Sequence, residues 1–350
     1  MKKIKHNIIL LLLLAPLALM ANNAPFKYSK QKKINKSFNV SANVNFIASN
    51  QYGHIYLTTW DENKVVVDIV ITVSSNRESV VERRLNGIDI DFNASHNSVS
   101  VETDIDNFSG NAEISVNYTV KIPKKGNLVL ENEYGGIILD KIYGTTQISC
   151  SYGSVKAKEL NSQNNVISLE YCDNNHIEYA KRATIEVEYS SIKLDKAESA
   201  TIAAEGSGTT IGTIGRLTIA SEYGNLKIKS LDVATLDVEY GTLAIENINQ
   251  GATIVIEYGS LDIKKLSENT KNVVIDSEYS SVKIGYSKDY AFDFNFALEY
   301  GELKGKENLS IQRQAIDDYE YYYSGYHKSS GKNKLTISSE YGDIILNRVN

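Results

Sequence analysis

The sequence predicts an all-β chain, a single-stranded parallel β-helix or β-solenoid with rungs of 17 to 21 residues and an irregular β-rich N-terminal cap. Three observations predict it. The first is a repeat. Glu-Tyr followed by Gly, Ser or Cys recurs around Tyr134, Tyr171, Tyr189, Tyr223, Tyr240, Tyr258, Tyr279, Tyr300 and Tyr341, with Ser151-Tyr152-Gly153 and Glu205-Gly206-Ser207 as variants. From position 134 to position 300 the intervals are 18, 19, 18, 17, 17, 17, 18, 21 and 21, and the step from 300 to 341 is 41, about two periods. The second is alternation on both sides of each Tyr. Leu236, Val238 and Tyr240 are followed by Leu243 and Ile245, and Ile254, Ile256 and Tyr258 by Leu261 and Ile263. Period two is the strand signature. The third is length. A unit this short cannot bury its own apolar face, whereas units paired in parallel at about 4.8 Å can, and a propeller blade needs about 40 residues. The general chirality of parallel connections favours a right-handed coil.

The chain opens with Lys2, Lys3 and Lys5, an apolar run from Ile8 to Leu14, and a small residue, Ala21, before Asn22. This reads as a secretory signal over 1–21, cleaved after Ala21. Residues 22–36 read as a polar linker, 37–125 as irregular β-rich rungs forming the cap, and 126–350 as regular repeats with an excursion at 312–334. Within the cap, Val65–Val73, Ile88–Phe92, Val99–Thr103 and Ile114–Ile122 read as strands, Asn76–Arg84 as a short helix or loop, and Gln51–Leu57 as one early repeat unit.

Composition narrows the function. The chain has 350 residues, 42% hydrophobic and 23% charged, with 23 Tyr, 8 Phe, 1 Trp, 3 Pro and 2 Cys. A folded chain is expected, not a disulfide scaffold, a Pro-rich stalk or a Cys-ligated zinc protein. The net charge of −6 falls to about −9 without the signal, the wrong sign for a nucleic-acid partner. No later apolar run is long enough for a membrane-spanning helix. Cys150 precedes its Tyr by two and Cys172 follows its Tyr by one. That offset, about 10 Å along a strand, predicts two unpaired thiols, with Cys150 in the core.

Pairing turns repeat positions into columns. The Tyr column (Tyr134, Tyr152, Tyr171, Tyr189, Tyr223, Tyr240, Tyr258, Tyr279, Tyr300 and Tyr341) shares parity with the core. It is therefore expected to point inward or plug the corner as a stacked ladder, and the other reading is an aromatic platform for glycans. The Gly after each Tyr is expected to supply a tight corner, through space or a positive φ. The Glu before each Tyr faces outward. Lys156, Lys193, Lys227, Lys283 and Lys304, four residues after a Tyr, form a second outward column expected to balance it. A calcium stripe on the carboxylates is the sharper reading, but no Asp-x-Asp-x-Asp-Gly loop supports it, and no metal or other cofactor is expected. In the excursion, Asp317, Asp318, Tyr319, Tyr321, Tyr322, Tyr323 and Tyr326 form an acidic, Tyr-dense segment, read as a partner-binding loop or as an insertion or hairpin covering the repeats.

The segment Tyr52-Gly53-His54-Ile55-Tyr56-Leu57-Thr58-Thr59-Trp60-Asp61, then Val116–Pro123, then Leu128-Val129-Leu130 leading into repeated Gly-x-Ile-x-Leu units resembles the bacterial "putative adhesin" β-solenoid domain family of unknown function, which is similar to auto-transporter adhesin head domains. The resemblance spans about residues 37–350 and implies the solenoid fold and an adhesin-like role. It brings no catalytic residues.

Parallel β-helices include polysaccharide lyases and hydrolases, which need paired acids, or calcium with a basic residue, in a cleft. The acids here are spread by the repeat, Arg182, Arg216, Arg313 and Arg348 share no register, and the five His form no metal-binding spacing. The expectation is an exported, non-enzymatic, adhesin-like protein of the periplasm or cell surface that offers its repeats to a glycan or protein. The alternative is a periplasmic structural or scaffold protein. A polysaccharide-active enzyme is a third class.

Overall fold

The computed structural model describes residues 26–107 and 110–349; the signal reading at 1–21 lies outside them. The chain is all-β. Among the described residues 26 strands join in one hydrogen-bonded sheet, and the single α-helix is Glu78–Asn86. Most pairings are parallel and link one repeat unit to the next. In the middle of the chain one strand runs nearly the whole unit, as in Ser191–Glu205, Gly208–Glu222 and Asn225–Glu239. The stretch between one corner and the next is continuous strand there.

The register explains the core. Ile185 pairs with Ile202, Ile202 with Ile219, Ile219 with Leu236, Leu236 with Ile254 and Ile254 with Ile275. All six are buried, as are their alternating neighbours, and the column continues through one apolar core. Strand alternation aims every second side chain at this core, and each unit covers the face that its neighbour leaves open.

The corner differs from the sequence reading. The positive φ belongs to Tyr: eleven corner tyrosines, Tyr52 included, have φ between 46° and 57°, and only Gly206 takes that conformation as glycine in their column. A left-handed residue reverses the alternation at that point. The Tyr rings therefore turn outward, 41–58% exposed, which corrects the expectation that they face the core. The glycine that follows is there for space. A Cβ on Gly241 would stand 2.1 Å from the carbonyl oxygen of Gly224. Where Ser or Cys takes that place, its side chain is buried and bonds backbone, as when Ser190 Oγ accepts from the Cys172 amide at 2.7 Å and donates to Glu188 O at 2.7 Å.

Both ends depart from simple repetition. At the N-terminal end, Tyr28–Asn39, whose residues 28–36 fall in the expected linker, is a strand antiparallel to Lys64–Ser75, which is antiparallel in turn to Glu113–Pro123. Four lysines along the Tyr28–Asn39 strand guard an open sheet edge against pairing with other chains. Asn50, Thr103, Tyr118 and Asn132 form a buried polar network joining this part to the first repeats. Burial pushes the Tyr118 hydroxyl up to about 12, against the bond to Thr103, which lowers it.

At the C-terminal end, the step of 41 residues does not skip a unit. Lys334–Glu340 inserts in parallel between Asn272–Glu278 and Phe292–Glu299, so Tyr341 lies between Tyr279 and Tyr300. The excursion is a hairpin of Ser310–Asp317 and Glu320–His327, and its second strand pairs antiparallel with Phe292–Glu299. It covers what would otherwise be an open parallel edge.

The cysteines correct a further expectation. Both are buried free thiols, but they are neighbours: Cys172 Sγ donates to the Cys150 carbonyl at 3.1 Å. The left-handed Tyr171 folds Cys172 back under the preceding unit, which a flat count along a strand cannot show. The adjacent Cys172 sulfur, and then burial, push the Cys150 thiol up.

The corner packing predicts a paired result in urea denaturation. Gly241→Ala drives a Cβ into backbone and should cost about 1–3 kcal/mol. Gly208→Ala meets nothing within 4 Å and should be close to neutral. Equal stability of the two variants would contradict the proposed role of the glycine.

Candidate functional site

The corner tyrosines form an exposed aromatic strip. Tyr52, Tyr134, Tyr152, Tyr171 and Tyr189 stack in sequence at 5.1–5.3 Å between ring centroids. Tyr223, Tyr240, Tyr258, Tyr279, Tyr341, Tyr300 and Tyr319 form a second run at 4.6–5.0 Å. Interplanar angles stay within 22°. The spacing is imposed from below, because each corner amide up to Tyr341 donates to the carbonyl preceding the next corner, as from Tyr240 to Glu257 O at 3.0 Å and from Tyr258 to Glu278 O at 3.0 Å, and the Tyr300 amide donates to Tyr319 O at 3.1 Å. The two runs are separated at Gly206, the one corner of the series without a ring.

Beside the rings runs the row of carboxylates, outward as expected. The lysine column does not neutralise it. Lys193 pairs with Asp195 at 2.7 Å and Lys304 with Asp343 at 2.6 Å, both after the corner, and among the described residues no ion pair joins the two columns. Like charges therefore face one another along the row. Desolvation, then Glu239 and Glu278, raise the Glu257 carboxyl. Glu205, which accepts a hydrogen bond from the Tyr189 hydroxyl at 3.1 Å, raises that phenol in turn.

Each side of the strip holds a groove at the Gly206 unit. The carboxylate side has a groove of about 430 Å³ over Ala203 and Ala220, walled by Glu186, Glu205, Glu222 and Asp237. The other side has one of about 530 Å³ with Lys156, His176, Lys193 and Lys227. There His176 Nε2 lies 2.6 Å from Asp195. Burial would raise Asp195, but hydrogen bonds from Lys193 and His176 outweigh it and hold the carboxyl low. Among the described residues no group of three or more His, Cys, Asp or Glu could hold a metal ion, and no helix is long and apolar enough to cross a membrane.

The excursion residues do not form one site. Asp317, Asp318 and Tyr319 lie at the hairpin turn. Tyr321, Tyr322 and Tyr326 are half-buried along Glu320–His327, and Tyr322 accepts a contact from the Arg313 guanidinium. Tyr323 is buried in the core at 4% exposure, which withdraws it as a binding residue. Strand alternation turns it inward. Tyr319, 62% exposed, instead extends the aromatic strip. Its distance of 19 residues from Tyr300 carried that signal, although neither a preceding Glu nor a following Gly marks it.

No family model and no curated protein matches the chain. Among solved structures it is similar to a "putative cell adhesion protein" from Clostridium sporogenes (13% identity, 91% of this chain and 100% of that chain, TM-score 0.19). It is also similar to a "putative adhesin" from Bacteroides fragilis (11%, 90% and 97%, TM-score 0.29) and a "putative lipid binding protein" from Parabacteroides distasonis (11%, 90% and 96%, TM-score 0.34). At these TM-scores the likeness assigns no ligand to this chain.

The carboxylate row sets a pH dependence. The folded state holds Glu257 above its ordinary value, so that contribution is present below the unfolded glutamate value, about pH 4, and is lost as pH rises through the folded value. Glu257→Gln should therefore melt higher than the parent at pH 7 and at the same temperature near pH 3.5, and added salt should narrow the gap at pH 7. A lower melting temperature at pH 7 would show the carboxylate to be stabilising.

Proposed function

We propose that this chain is an exported, non-enzymatic, adhesin-like binding protein, built as a right-handed single-stranded parallel β-solenoid, which presents its aromatic strip and carboxylate row to a glycan or a protein. The observation that carries this reading is the exposure of the strip: rings held at about 5 Å by the backbone register remain 41–58% open to solvent along the series. The faces cover one another within the stack, so the strip presents pre-ordered ring edges and hydroxyls, which bind with little loss of side-chain entropy. The neighbouring carboxylates, unpaired by the lysine column, leave hydrogen-bond acceptors beside each face. The even spread of acids along the row suits a long contact surface better than a reaction centre.

Two measurements test this. A protease added to intact cells should digest the tagged chain. Protection until the outer membrane is opened would favour a scaffold inside the envelope, for which the guarded sheet edge and capped end also suit. On arrays of immobilised glycans and host proteins, the Tyr258→Ala, Tyr279→Ala double variant should lose at least tenfold in binding, since a tyrosine that anchors a contact surface is worth about 2 kcal/mol or more. Unchanged binding by that variant would remove the strip from the function.

A further inference from the structure

The strip is interrupted once. Gly206 holds the corner conformation, with φ 57°, but carries no ring, and Tyr189 and Tyr223 on either side are the most exposed corner tyrosines at 52% and 58%. Two unit spacings separate them, about 9.6 Å, and rings elsewhere in the strip stack at 4.6–5.3 Å. The interruption is one ring wide. Tyr189 leans into it: its Cδ1 lies 2.8 Å from where a Cβ on Gly206 would stand, and its hydroxyl reaches Glu205. Tyr189 still stacks on Tyr171 at 5.3 Å and 10°, so its other face is the one turned to the notch.

Beside the notch lies the acidic groove of about 430 Å³, whose walls include Glu205 and Glu222, the residues before Gly206 and Tyr223. The outward residues three before the corner are Ala203 and Ala220 at the two central units and Glu186 and Asp237 at the flanking ones, so small side chains hollow the middle and carboxylates wall it. Among the described residues no ion pair engages Glu186, Glu188, Glu205, Glu222 or Asp237. Aromatic faces above and below with unpaired carboxylates beside them recognise a flat group that carries positive charge.

We propose that the gap at Gly206 is a binding site for an aromatic amine, its ring stacked between Tyr189 and Tyr223 and its ammonium set against Glu205 and Glu222. This goes beyond the reading of the strip as an adhesive surface and specifies one ligand class at one place. The rings and carboxylates are supplied by four consecutive units, so the site exists only in the folded repeat.

The test is calorimetric titration of the full mature chain with tyramine, with p-cresol and ethylammonium as the ring alone and the cation alone. Tyramine should bind at least tenfold more tightly than either. Gly206→Tyr supplies the missing ring in a conformation that eleven tyrosines already adopt. It should raise the melting temperature and abolish tyramine binding. Ala203→Lys, at an outward position, places a competing ammonium in the groove, leaves the corner untouched and should weaken tyramine at least fivefold. Glu222→Gln should weaken tyramine and leave p-cresol unchanged. No binding by the parent chain at millimolar tyramine overturns the proposal. So does tyramine binding that survives both Gly206→Tyr and Ala203→Lys, which would place the ligand at the open ends of the strip, Tyr52 or Tyr319. Tyr258 and Tyr279 stand at least two corners from the notch, so loss of array binding in their variant with tyramine retained separates the two readings.

Discussion

The constraint on which the structure depends is in-register parallel pairing of units that each turn a corner through a left-handed residue. Pairing alone would align the columns. The left-handed corner decides what each column faces, because it reverses the alternation between core and solvent. For an ordinary side chain that conformation costs about 1–2 kcal/mol, and this chain adopts it at eleven tyrosines. Two repeated gains offset the cost. Every corner amide finds a carbonyl on the next unit, and every ring meets another at about 5 Å, a contact worth about 0.5–1.5 kcal/mol beyond its buried area. Neither gain exists for an isolated unit. The corner is stable only as a member of a series, which is why the aromatic strip and the apolar core extend together.

How far this was legible in the sequence can be judged residue by residue. The period was plain from the Glu-Tyr-Gly spacing, and alternation at Leu236 and Val238 or Ile254 and Ile256 identified strands and core. The direction of the Tyr rings was not legible, because parity counting assumes extended backbone throughout, and a single left-handed residue inverts it. The same inversion brought Cys172 beside Cys150. The position of Tyr341 could not be read either. Intervals report contour length along the chain, and the insertion of Lys334–Glu340 between two earlier strands is an event of pairing order. Tyr319 lay in period but out of motif.

The charge columns show where local chemistry overrode a global pattern. Both columns exist, yet Lys193 and Lys304 find Asp195 and Asp343 on their own side of the corner. A short reach to a nearby carboxylate loses less side-chain freedom than a longer one across a ridge of stacked rings. The glutamates are left to repel along the row, a modest penalty in water that screening reduces further. The result is a surface with an acidic flank and a mixed, lysine-bearing flank on either side of an aromatic crest.

Gly206 makes sense against this balance. Glycine is the residue that adopts a left-handed corner without steric cost, so a chain under no constraint but corner geometry would place glycine at every one. Tyrosine is favoured only where a ring finds neighbours on both sides, and a missing ring deprives two neighbours at once. The exchange at Gly206 therefore saves backbone strain at one residue and loses two stacking contacts, leaving Tyr189 and Tyr223 each bare on one face. On these magnitudes the fold gains little from it. What the exchange does create is a slot of one ring's width, floored by backbone, beside unpaired carboxylates and at two adjacent units whose outward residue three before the corner is alanine. Local stability does not account for the missing ring, whereas a ligand entering from the acidic flank does.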